Sequence, residues 1–208
     1  MNTPLSPRIR ICFVAAPAFT AAYGVVRLLG LAQGSYGPGL AWTAGHLLFL
    51  IGLLLFAPVL LGLHRLVPAT SRAQRVIADV ALAVALIGLI AFVRQALIDL
   101  VVGLRAADHQ AMGGLYQQIG DFPGVLPAAF YNVGPLLFEV GLAGLVILLA
   151  LLPPRRLPLW SPVLFLLGAI LIAVDLDLLT PGAILFALAL SPAALPRLAG
   201  RSLSTNRG

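Results

Sequence analysis

The chain has 208 residues, 61% of them hydrophobic and only 10% charged, with a mean hydropathy of +1.04. A soluble domain needs charge on about a quarter of its residues, so this deficit excludes an ordinary water-facing surface. The formal charge of +6 comes from thirteen arginines without a single lysine, and it reads as basic cytoplasmic loops rather than as a nucleic-acid surface.

The apolar residues come in long blocks, each near the 20 or so that a helix needs to cross about 30 Å of hydrocarbon. The alternating segments of about ten residues that mark a transmembrane barrel are absent from the sequence. A first span is expected at 11–32. Arg8 and Arg10 before an apolar run, with Thr20-Ala21-Ala22 as a passable cleavage site, also resemble a signal peptide. The apolar stretch continues to Ala32, however, which favours an uncleaved helix. Residues 33–39 (QGSYGPG) form a turn by composition.

The second span, 41–63, ends at His64-Arg65, and the third covers 76–103. Residues 104–126 make the one sizeable loop, extracytoplasmic by the arginine distribution, in which 106–119 is expected as a short interfacial helix. A fourth span at 127–152 is closed by Pro153-Pro154-Arg155-Arg156. The fifth, 159–177, leads into a turn at Leu178-Leu179-Thr180-Pro181-Gly182, and the sixth covers 183–198. The expected fold is thus all-α: a single polytopic domain, residues 1–208, forming a bundle of six transmembrane helices with both termini inside. Ten arginines (8, 10, 65, 72, 75, 155, 156, 197, 201 and 207) fall on one side, and Arg105 alone falls in the loops of the other. That asymmetry puts the rich side in the cytoplasm of a bacterial plasma membrane.

Ionisable side chains inside a span are costly and mark candidate sites. Arg27, His46, Arg94, Gln95, Asp99, Tyr131, Asn132 and Asp175 all fall in the expected outer half, on five different helices. Glu139, the only glutamate, is deepest, roughly 18 Å below the start of its span. Asn132, Pro135 and Glu139 stand at i, i+3 and i+7, on one helix face. Gly134 and Pro135 are expected to break that helix beside the carboxyl, and Arg94 is its expected partner by depth. His64 and Asp79 lie on the opposite, arginine-rich side.

Much chemistry is left without residues to carry it. Cys12 is the only cysteine, so an internal disulfide, a CxxC pair and a thiolate metal cage are excluded. GxSxG, HExxH, Walker and GxGxxG motifs are missing. His46 and His64 share a face, but only His109 remains to partner them, so haem is not expected. Asp175-Leu-Asp177 is too common a pattern for a metal site. No cofactor or metal is therefore expected.

The stretches GHLLFLIGLLLFAPVLLGLHRL (45–66), QALIDLVVGLRAAD (95–108) and FYNVGPLLFEVGL (130–142) resemble small multi-pass membrane proteins of high-GC actinobacteria. That resemblance implies a membrane location and brings no activity and no catalytic residue. The leading expectation is a non-enzymatic membrane protein with an outward-opening polar pocket for a small molecule, ion or lipid headgroup, serving transport or sensing. Glu139 and Arg94 are expected at the base of this pocket, with His46, Asn132 and Asp99 on its walls. The alternatives are an enzyme on a lipid or isoprenoid-like substrate and a structural subunit of a membrane complex.

Overall fold

The computed structural model describes residues 5–34, 37–120 and 129–195, with residues 120 and 129–132 described by backbone alone. The first helix starts where local chemistry favours it. The Ser6 side chain accepts a hydrogen bond from the Ile9 amide, and Pro7 occupies the first turn, where its missing N–H leaves no gap in the ladder. This is α1, Pro7–Ala32. Gly39, at φ 148°, makes the bend into α2, Leu40–Leu66, a conformation open to glycine because it lacks a Cβ. At α3, Arg72–Arg105, Ser71 and Gln74 cap each other's backbone reciprocally.

A short helix, α4, covers His109–Gly120. Met112, Leu115, Tyr116 and Ile119 recur at the spacing of one helix face and are its more buried side, while Gln110, Gly113, Gln117 and Gln118 are exposed. The remaining elements are α5 (Ala129–Leu151), α6 (Trp160–Val174), a 3-10 turn at Leu176–Leu178 and α7 (Leu179–Ala194).

Five helical stretches are long and apolar enough to cross a membrane: α1, α2, α3, Val133–Leu151 of α5, and Leu176–Ala194. The outside of the bundle is apolar, with Ile11, Ile90, Val163 and Ile170 each more than half exposed. Length, composition and this apolar exterior make the chain a helical membrane protein. With 15 residues, α6 reaches about 22 Å, short of the hydrocarbon thickness.

Two details depart from the sequence expectation. The turn between the last two helices lies at 175–178 and not at 178–182. The Asp175 side chain caps the Asp177 amide there, and Pro181 fits within the first turn of α7, where backbone N–H groups have no intrahelical acceptor. In addition, α5 runs through Gly134 and Pro135 without a break. Pro135 removes only its own backbone donor, and the flanking turns are held by tight packing against α3.

Neighbour relations run α5–α3–α2–α1–α7–α6, and the ring closes with a thinner seam from α6 back to α5. Lipid tails are as apolar as leucine, so helices in a membrane gain chiefly from close approach at small residues. Here Gly88 of α3 meets the backbone of Phe138 and Gly134, and Gly141 of α5 meets Ala85 and Ala81. These contacts fix α3 and α5 as antiparallel neighbours and set their register. One end of the bundle carries α4 and the 3-10 turn; the other carries Arg65, Arg72, Arg155 and Arg156. They are called the α4 end and the arginine-rich end below.

Candidate functional site

A buried network occupies the bundle near its α4 end. Trp42 and His46 lie one turn apart on α2, so the His46 Nδ1–H donates to the Trp42 carbonyl at 2.8 Å. That bond turns His46 Nε2 toward the Tyr23 hydroxyl of α1, at 3.5 Å, and toward Asp99 Oδ2 of α3, at 3.8 Å. Gln95, one turn before Asp99, donates from its Nε2 to Asp99 Oδ1 at 2.9 Å. The Tyr116 hydroxyl of α4 donates to the same oxygen at 2.7 Å, and Trp42 Nε1 donates to the Asp99 main-chain carbonyl at 2.9 Å. Gly103, one turn beyond Asp99, has no side chain, which lets the Trp42 indole lie against it.

Tyr116 completes the network from outside the spans. Burial, together with its bond to Asp99, holds the Tyr116 hydroxyl above its ordinary titration range. It therefore stays protonated and donating.

A second cluster adjoins this one, since Arg27 lines a pocket together with Tyr23, Trp42 and His46. Arg27 of α1 pairs with Asp177 of the 3-10 turn, Nη2 to Oδ1 3.2 Å, and Asp175 accepts from the Asp177 amide. The sequence singled out Asp175 for this end, whereas the structure gives the arginine to Asp177, because the Asp175 carboxylate is turned inward onto its own loop. At the arginine-rich end, His64 Nε2 and Asp79 Oδ1 are 2.7 Å apart.

Glu139 lies away from these groups. Among the described residues it makes no hydrogen bond or ion pair, and no ion pair joins it to Arg94. The register explains this. Gly88 packs between Gly134 and Phe138, and Gly134 against Ala91, so Glu139 is level with about residue 86 of α3, and Arg94 lies roughly 12 Å further toward the α4 end. The side chains of Tyr131 and Asn132, also expected on the pocket wall, lie outside the described residues.

Glu139 and Asp99 nonetheless share a space. A cavity of about 210 Å³ runs between the helices and is lined by Gln95 and Asp99 of α3, Glu139 of α5, and residues of α1, α2, α6 and α7. By the same register the two carboxyl-bearing residues mark opposite ends of it, roughly 20 Å apart along the bundle. Its wall between them is aromatic. Tyr23 meets Phe49 (ring centroids 4.9 Å), Phe49 meets Phe92 (5.3 Å), Phe92 meets Phe138 (6.2 Å) and Phe138 meets Phe56 (5.2 Å). All five rings line the cavity.

The structure therefore unites His46, Gln95 and Asp99, puts Glu139 at the far end of the cavity that Gln95 and Asp99 line, and places Arg27 beside His46 while pairing it with Asp177, whose amide Asp175 caps. Sequence reasoning missed Tyr116, Trp42, Tyr23 and the phenylalanine wall. Two signals were present: Tyr116 lies on the apolar face of the loop helix, and Phe49, Leu53 and Phe56 share one face of α2 at i, i+4 and i+7. Among the described residues no group of three or more His, Cys, Asp or Glu side chains is placed to hold a metal ion.

Fold and site together define a class, a helical membrane protein with an internal cavity bearing two carboxyl groups. Comparison of the chain with protein-family models, curated proteins and solved structures found no match.

Proposed function

We propose that this is a six-span bacterial plasma-membrane protein that binds a small, largely apolar molecule in the cavity between its helices, for transport or sensing. The arginine-rich end faces the cytoplasm, and the cavity lies toward the outer side. One observation carries the reading: a single cavity joins an ionisable group with no hydrogen-bond or ion-pair partner among the described residues, Glu139, to a built polar network at Asp99. Binding pockets combine an apolar lining with a few placed polar groups in this way.

The test is single-cysteine accessibility in a Cys12→Ser background, using a small membrane-impermeant thiol reagent added from outside. Cysteines at 92, 95 and 139, which line the cavity, are expected to label. Cysteines at 90 and 136, on the exposed apolar exterior, are expected to stay protected by lipid. Protection at all five positions would mean that the polar groups only join helices, and the binding reading would fall.

A second reading is favoured by the His46 geometry. Its Nδ1 is fixed by the Trp42 carbonyl, so Nε2 is aimed between Tyr23 and Asp99, an arrangement able to pass a proton. A membrane enzyme acting on a lipid-like substrate would use it for acid–base chemistry. Conversion of an added lipid extract that is abolished in His46→Gln, with folding retained, would make this the leading reading.

A further inference from the structure

We propose that the ligand is a compact organic cation with an apolar body, seated with its charge at Glu139 and its body against the rings of Phe49, Phe92, Phe138 and Phe56. This rests on the reading of the central cavity as a binding site and adds the chemical class of what it binds.

The charge pattern of the lining comes first. Among the described residues, Asp99 and Glu139 are the acidic groups lining the cavity, and no arginine or histidine lines it. Asp99 already accepts from Gln95 and Tyr116. Glu139 has no such donors among the described residues, so it is the group left to answer a ligand. An anion entering here would meet two carboxyl groups and no cation among the described lining residues. A neutral molecule would fill the space and leave Glu139 as the uncharged acid, whereas a cation supplies the counter-charge that lets the carboxylate form in a low-dielectric wall.

The aromatic wall favours the same class. Ring faces carry negative electrostatic potential and attract ammonium groups, most strongly where water is excluded. The chain of touching rings from Tyr23 to Phe56 offers several such faces beside Glu139. The same rings would bury an apolar body, so the two halves of the ligand are recognised by one surface. Size narrows the class further. A dry cavity of about 150 Å³ accepts a benzene ring, so about 210 Å³ has room for one ring with a small ammonium head.

The other ionic groups do not compete for this role. Arg27 is paired with Asp177, and His64 with Asp79; neither pair lines the cavity.

The experiment uses the full-length protein in lipid nanodiscs and radiolabelled phenyltrimethylammonium, with empty nanodiscs subtracted. The expected result is saturable binding, displaced by the unlabelled cation. It should be displaced at least tenfold less well by tert-butylbenzene, which replaces the charged nitrogen by carbon at the same shape, and by benzenesulfonate. Glu139→Gln is expected to weaken binding at least tenfold, and Asp79→Asn at the arginine-rich end to leave it unchanged. The comparison of cation with neutral isostere needs no variant, so it stands even if Glu139→Gln fails to fold. Equal competition by tert-butylbenzene, or full affinity in folded Glu139→Gln, would overturn the cation class while leaving a binding cavity in place. If none of the three compounds binds saturably to folded protein, the cavity is no binding site for molecules of this size, and both readings fail.

Discussion

The hydroxyl of Tyr116, on the short helix α4, donates a 2.7 Å hydrogen bond to the carboxylate of Asp99, inside the bundle on α3. This hydrogen bond ties the loop helix to a residue that lines the cavity. Burial of Met112 and of the same apolar face adds to α4's attachment.

Tyr116→Phe keeps the ring and removes the donor. A hydrogen bond contributes about 0.5–3 kcal/mol, most where its acceptor is charged, so backbone amides of α4 should exchange roughly two- to a hundredfold faster while those of α3 change little. Hydrogen–deuterium exchange measures this. Unchanged exchange in α4 would show that its apolar face alone holds it in place.

The α3–α5 contact makes a sharper prediction about stability. A side chain added at Gly88 or Gly141 would run into the backbone of the opposite helix. Overpacking of this kind costs about 1–3 kcal/mol or more, so Gly88→Val and Gly141→Val should lower the thermal midpoint in detergent by several degrees. Gly113 of α4 has nothing within 4 Å of where a Cβ would be. Gly113→Ala should be neutral or stabilising by up to about 1 kcal/mol, since alanine forms helix better than glycine.

Arg27 and Asp177 lie 150 residues apart in sequence and join α1 to the turn before α7. Asp177 is 45% exposed, so water screens the pair. A double-mutant cycle with Arg27→Ala and Asp177→Ala should return a coupling of about 0–1 kcal/mol. A value well above 2 kcal/mol would mean that the pair is desolvated in the membrane.

Orientation is open to a direct measurement. In a Cys12→Ser background, cysteines at Gly34 and Gly113, at the α4 end, should react with an impermeant reagent added outside intact cells. Cysteines at Thr70 and Arg155 should react only after permeabilisation. The reverse pattern would show that arginine asymmetry does not set the topology of this chain.

The helices were legible in the sequence because their causes are local. Run length decides whether a segment can span, and Ser71 with Gln74 announces the start of α3 within four residues. A short helix within 106–119 was also expected, and α4 covers His109–Gly120. The candidate site was legible only as a set of costly residues sharing one end of the bundle. His46, Asp99 and Gln95 belong together in the structure, but the expected pairing of Arg94 with Glu139 does not occur. Depth counted along a single helix carries no information about its neighbour's register, and a shift of about two turns separates these two side chains.

The sequence by itself determined that this is a helical membrane protein, where its apolar helices lie, and that its arginines crowd one end, since hydropathy and charge act residue by residue against the bilayer. Only the tertiary structure decided which polar groups meet. Small residues at Gly88, Gly134 and Gly141 set how α3 slides along α5, and α4 folds back to deliver Tyr116 to Asp99. Partnership between side chains distant in sequence depends on interhelical packing, which no local pattern encodes. That packing leaves Glu139 facing an aromatic cavity without a partner among the described residues.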